Sequence, residues 1–130
     1  MTPEQNAHVK TLSGKQEIFD YAIKHLKNQG TQSMVGPGHG ICGYRGHDGT
    51  MCAVGCLLAD DEYEPDMEGK GVYKIVLPPR LANHVFLLQE LQRLHDHRQT
   101  FSPDGAGLSL WGIDEIEELR IKFDLENPRP

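Results

Sequence analysis

The stretch G-P-G-H-G-I-C-G-Y-R-G-H-D-G-T-M-C-A-V-G-C, residues 36–56, decides how this chain is read. It holds seven of the fourteen glycines, all three cysteines and two of the seven histidines. Glycine lets the backbone turn sharply or approach another group closely, at an entropic cost on ordering. Cysteine and histidine are the usual metal ligands and nucleophiles. The stretch therefore reads as a loop-rich connection that carries the chemistry, and the regular elements must lie on either side of it.

Working outward, residues 13–29 read as the first helix. Ser13 is a candidate cap with Gln16 as its capping-box partner, and Ile18, Phe19, Ala22, Ile23 and Leu26 form an apolar stripe at helical spacing. Gly30 stands where a C-terminal glycine belongs. Residues 32–35 read as a short edge strand, residues 41–45 as a second strand, and His47-Asp-Gly49 as a turn. Residues 51–59 are either the returning strand or a helix. The helix is favoured, because Thr50 can cap it and Ala53, Leu57 and Leu58 have helical spacing. Gly55 opposes that reading, since a helical glycine costs about 1 kcal/mol relative to alanine; close packing against another backbone would account for it.

Downstream, residues 60–68 carry six carboxylates in nine positions and read as a solvated loop with Tyr63 and Met67 tucked inward. An interaction surface is the alternative for this run. Residues 72–77 look like a strand ended by Pro78-Pro79. Residues 83–98 form a second strong helical pattern, residues 102–107 a loop, and residues 111–123 a last helix with Arg120 and Lys122 complementing its dipole. Residues 1–12 and 125–130 are expected to fray. The fold class is α+β: a compact, mainly helical single domain over residues 1–130, with a small β element and a glycine-rich loop face.

Composition narrows the function. With 130 residues the chain suits one domain, and 38% hydrophobic with 25% charged residues suits a globular one. A formal charge of −6 argues against general nucleic-acid binding, which calls for a basic face. No apolar run approaches the roughly 18 residues of a membrane span. Met1-Thr-Pro-Glu-Gln5 has no basic or apolar leader region, so a cytoplasmic location with reduced thiols is expected.

Cys42-Gly-Tyr-Arg45, His47-Asp-Gly49, Cys52-Ala-Val-Gly-Cys-Leu57, Glu62-Tyr63, Met67-Glu-Gly69 and Leu91-Gln-x-x-His-Asp96 form a combined pattern, joined by Lys15-Gln-Glu-Ile-Phe-Asp20 and His25-Leu26. In this pattern the chain resembles a group of small phage, prophage and bacterial hypothetical proteins, over most of its length. The resemblance implies a compact phage-associated protein acting inside a bacterial host cell. It brings no catalytic residues with it, so the chemistry is argued from side chains.

Three constellations offer themselves. His39, Cys42, Cys52 and Cys56, with His47 nearby, supply zinc-type ligands, although no C-x-x-C knuckle is present. Cys52 in the first turn of a helix would be a stabilised thiolate, with His95 or His84 as base and Asp96 or Asp48 as orienter. That order of Cys, His and carboxylate matches papain-like hydrolases, whose histidine stands on a sheet, whereas His84 and His95 fall in a helical pattern. His95-Asp96 also resembles the dipeptide of HD-type phosphohydrolases. The plainer reading makes His95 a core-edge residue with a local hydrogen bond, since His84, Leu88, Leu91 and His95 share one helix face.

Tyr44, Arg45, His47 and Asp48 form a candidate ligand-binding set, in which Tyr44 stacks on a base and Arg45 holds a phosphate. An ordinary ion pair between Arg45 and the acidic run is the competing reading. Residues 36–40 lack the G-K-[ST] of a Walker loop, and the acidic run lacks the spacing of an EF-hand. The expected function is a non-catalytic accessory protein that engages a host protein or small ligand through the face of residues 36–56. The alternatives are a cysteine-dependent hydrolase using Cys52 with His95, and a zinc-stabilised module.

Overall fold

The computed structural model describes residues 1–36, 41–104 and 107–127. Five α-helices and a two-stranded sheet make a mainly helical α+β domain. No described helix is long and apolar enough to cross a membrane.

The chain begins with helix α1 (Pro3–Val9), where fraying was expected. Thr2 Oγ1 accepts from the Gln5 N–H (3.1 Å), and Gln5 Oε1 accepts from the Thr2 N–H (2.8 Å), which closes a capping box. Proline in the first turn needs no N–H there. Val9 and Leu12 are buried, so the segment belongs to the core. Helix α2 (Lys15–Gln29) buries its expected stripe, Ile18, Phe19, Ala22, Ile23 and Leu26. Its cap differs from the expected one. Gly14 holds the cap position and its N–H donates to Glu17 Oε1 (3.1 Å), while Gln16 turns away to donate to Asp20 Oδ1 (2.8 Å). Gly30 ends the helix at φ 69°, a left-handed conformation that favours glycine.

The sheet is short. Strand β1 (Met34–Val35) pairs antiparallel with β2 (Ile41–Cys42), Met34 opposite Cys42 and Val35 opposite Ile41. Beyond it, Arg45 and Met51 form an isolated bridge around the turn at His47–Gly49. The Gln29 side chain completes Met51 from the other side: the Met51 N–H donates to Gln29 Oε1 (2.9 Å), and Gln29 Nε2 donates to the Met51 carbonyl (2.9 Å). A side-chain amide stands there where a neighbouring strand would.

The helix expected from Thr50 does not form. Residues 52–57 make a single helical turn, closed by Cys56 N–H to the Cys52 carbonyl (3.1 Å) and ending in a 3₁₀ turn at Gly55–Leu57. Gly55 packs closely on another backbone, as its place in the sequence suggested: a Cβ there would lie 2.0 Å from the Tyr44 carbonyl oxygen. Backbone meets backbone at that point, and the bridge geometry of residues 44–52 prevails over helical propensity. Residues 72–77 are not a strand either. Val72–Lys74 is a 3₁₀ turn, and among the described residues the apolar run that follows, Ile75-Val-Leu77, has no ladder partner.

Pro78-Pro79 opens helix α3 (Pro79–Ala82) instead of only ending what precedes it. Helix α4 (Val85–Asp96) buries Leu87, Leu88, Leu91, Leu94 and His95. Helix α5 (Leu110–Lys122) starts at Ser109, whose Oγ accepts from the Gly112 N–H (3.0 Å). The core lies where α4 packs against α2 on one side and α5 on the other, with the Gly55–Leu57 turn laid on α2. The tail from residue 125 was expected to fray, yet Leu125 is buried and its carbonyl accepts from Arg120 Nη1 (2.9 Å).

Candidate functional site

The cysteines separate into two environments. Cys52 and Cys56 are fully buried in the turn against α2. The Gly55 N–H donates to Cys52 Sγ (3.2 Å), and the Cys56 thiol donates to the Ala53 carbonyl (3.2 Å). Burial pushes the Cys52 thiol up to about 12, against partial relief from the Gly55 and Val54 N–H groups, and pushes Cys56 well above its ordinary value. A nucleophile must be a thiolate that solvent can reach. Cys52 is neither, which overturns its assignment as a helix-start nucleophile.

The side chains that come together are Cys42, His95 and Asp96, whose ligand-type atoms lie within 4.8 Å of one another. Strand β2 supplies Cys42, and the last turn of α4 supplies the other two. His95 is wholly buried, and the direction of its hydrogen bonds settles what it does. The Ser33 N–H donates to His95 Nε2 (2.8 Å), so Nε2 carries a lone pair and the ring proton sits on Nδ1. From Nδ1 the ring donates to Asp96 Oδ1 (2.9 Å), which also accepts from Gln92 Nε2 (2.8 Å). The imidazole therefore presents its donor side to the carboxylate and has no acceptor left for a thiol proton. Burial first, and the neighbouring Asp96 carboxylate second, push the Cys42 thiol up to about 11. His95 and Asp96 thus meet Cys42 instead of Cys52, in a polarity opposite to that of a cysteine hydrolase.

The same bond directions bear on metal binding. A histidine that ligates through Nδ1 needs its lone pair there and donates from Nε2 to an acceptor. Here Nε2 faces a donor, so His95 fits the role poorly. Of the ligands read from sequence, Cys52 and Cys56 do not join Cys42 in any cluster of described residues, and His39 lies outside the described residues.

Around this cluster lies a cavity of about 310 Å³, bounded by Ile41, Cys42 and Tyr44 on one side and by Gln92 and Asp96 on the other, with the residues 69–71 as its third wall. Ile41 is 54% exposed beside it. The wall is held by Glu68. Its Oε1 accepts from the Tyr44 N–H (2.9 Å), and its Oε2 accepts from the Arg45 N–H (3.0 Å) and the Tyr63 hydroxyl (2.7 Å). Tyr44 Oη donates to the Lys70 carbonyl (2.7 Å).

The candidate ligand-binding set divides accordingly. Tyr44 is buried, with only 4% of its surface exposed, and cannot stack on a base. Arg45 Nη1 pairs with Asp60 (2.6 Å), Nη2 donates to the Leu58 carbonyl (2.8 Å), and the guanidinium lies 5.1 Å from the Tyr63 ring centroid. That is the plainer ion-pair reading of Arg45. Hydrogen bonds from Arg45, then from Asn6, hold the Asp60 carboxyl down at about 2. His47 and Asp48 sit exposed on the turn, with His47 Nε2 3.4 Å from the Gly36 carbonyl. Much of the acidic run is thus a strap: Asp60, Asp61, Glu62 and Glu68 are all engaged, Glu62 by Arg80 (2.6 Å) and Asp61 by Lys10 (2.7 Å).

Sequence reasoning gave no role to Gln92 and Glu68, although both stand in the motif pattern (Leu91-Gln-x-x-His-Asp96 and Met67-Glu-Gly69), and it passed over Ser33. Gln92 and Asp96 stand four apart on α4, a spacing that places them on one face and was open to notice. Nothing local marks Ser33. No protein-family model, curated protein or solved structure matches the chain.

Proposed function

We propose that this is a non-catalytic binding protein that engages a host protein or a small ligand through the face of residues 36–56, at the cavity beside Cys42. The observation that carries the reading is the direction of the His95 hydrogen bonds. An accepting Nε2 and a donating Nδ1 leave Cys42 without a base, and all three thiols are held above their ordinary range. Side chains of catalytic type are here tied to one another, with Cys42 and Asp96 lining the cavity and the exposed Ile41 at its edge as an apolar contact. The phage association and the bacterial cytoplasm as its place of action rest on the motif resemblance described above.

The experiment compares native and denatured mass spectra of untagged protein, followed by iodoacetamide labelling of the folded protein. The expected result is a bound mass released on denaturation and lost in Cys42→Trp, which fills the cavity, with no thiol labelled quickly below pH 8. One thiol that labels quickly below pH 8 and is slowed by His95→Ala would instead establish the hydrolase. An excess of about 65 Da removed by a chelator together with the fold would establish a zinc module.

A further inference from the structure

A cavity of about 940 Å³ lies away from the cysteines, between residues 98–104, the start of α5 and the chain just after α2. Its size suits a small organic ligand. Two aromatic rings line it, Phe101 and Trp111. The Trp111 indole is backed by the His97 imidazole, stacked at 4.2 Å between centroids, which fixes the ring as a platform. The indole N–H has no hydrogen-bond partner among the described residues and is reachable from solvent.

The charges at the cavity are unequal in their commitments. The Asp104 carboxylate is already engaged, accepting from the Ser102 hydroxyl (2.6 Å). The Arg98 guanidinium is exposed and makes no hydrogen bond or ion pair among the described residues. What the cavity leaves unused is therefore a planar cation with five donors, an indole N–H donor and aromatic surface. Guanidinium forks match carboxylate and phosphate oxygens, and an indole N–H adds a further donor. From this combination we infer that the cavity binds a small organic anion: a planar ring against Trp111 and Phe101, with its carboxylate or phosphate on Arg98. This site is independent of the face of residues 36–56.

Trp111 is the one tryptophan of the chain, so a ¹H–¹⁵N spectrum carries one indole N–H cross-peak, and that peak reports the cavity. The test titrates the whole protein with 1-naphthoate, 1-naphthyl phosphate and 1-naphthylmethylamine, which share a ring and differ in head group. The expected result is a saturable shift of the indole peak with one or both anions and at least tenfold weaker binding of the amine. Arg98→Gln should weaken anion binding at least tenfold with an unchanged melting temperature, because Arg98 supports nothing else. The tighter of the two anions identifies the head group. An unmoved peak, equal binding of amine and anions, or wild-type affinity in Arg98→Gln would each overturn the inference.

Discussion

The turn that carries Cys52 and Cys56 and the strand that carries Cys42 present the same thiol group to opposite surroundings. In the turn the sulfurs are packed in apolar core and bonded only to backbone of their own turn. At the strand the sulfur lies beside a carboxylate, an imidazole and an open cavity. Both regions keep the thiol protonated, the first by excluding water and the second by excluding water and adding a negative neighbour. A thiolate needs a positive or donor-rich surrounding, and proximity of Cys, His and Asp does not supply one when the histidine's free lone pair points elsewhere. Bond direction, more than inventory, separates a catalytic cluster from a structural one.

The sharpest way to break the dry region is Gly55→Ala. A methyl group 2.0 Å from the Tyr44 carbonyl forces the turn and the bridge apart, and urea unfolding should show a loss of about 3 kcal/mol or outright failure to fold. Wild-type stability in that variant would mean that the turn and Tyr44 are not in contact. Next comes His95→Leu, which removes the acceptor of the Ser33 N–H and a donor to Asp96. Leaving the buried Ser33 N–H without its acceptor costs about 2 kcal/mol, and an unchanged urea midpoint would refute that bond.

Alkaline pH probes both regions together. The folded-state values are raised, so above pH 9 the unfolded chain loses thiol protons that the folded chain keeps. Stability is then full below about 9, the unperturbed value, and falls as pH rises towards about 11 for Cys42 and about 12 for Cys52. By pH 10 the loss should reach about 1 kcal/mol for the fully buried Cys52 and less for the partly exposed Cys42, where solvent screens the effect; urea midpoints read it, and Cys52→Val should remove its share. A midpoint that does not move between pH 8 and pH 10 would contradict protonated, buried thiols. The smallest effect belongs to Cys42→Ser, under about 1 kcal/mol, because a hydroxyl can serve the same carboxylate at the edge of an open cavity. A larger loss would show the two regions to be less different than the structure makes them.

The helical core was legible because periodicity reports burial directly. The stripe from Ile18 to Leu26 and the α4 leucines are buried as their spacing implied, whereas Phe86 in the α4 arc and Ile113 in the α5 register are exposed. The N-terminal helix was read as a frayed segment, although Thr2-Pro-x-Gln5 carries a capping box with proline in the first turn, because a short polar segment has no apolar stripe. At residues 52–57 the close backbone packing of Gly55 was legible and its partner was not, since only the folded chain brings Tyr44 against it. Residues 72–77 failed for a related reason: β-branched composition favours a strand only where a neighbour supplies the ladder. At the site, the residue types were recognised and the pairing was not. His95 could be matched with any of three cysteines until the fold set Ser33 against one of its nitrogens.

The Gln29 amide that pairs with both backbone groups of Met51 has a consequence for exchange measurements. An amide proton bonded within a sheet reports the opening of that sheet, but the Met51 proton is held by a side chain rooted in the last turn of α2. Its exchange with deuterium therefore reports the Gln29 side chain and the helix end that roots it, and the opening of Met51 is coupled to α2 and not to a sheet.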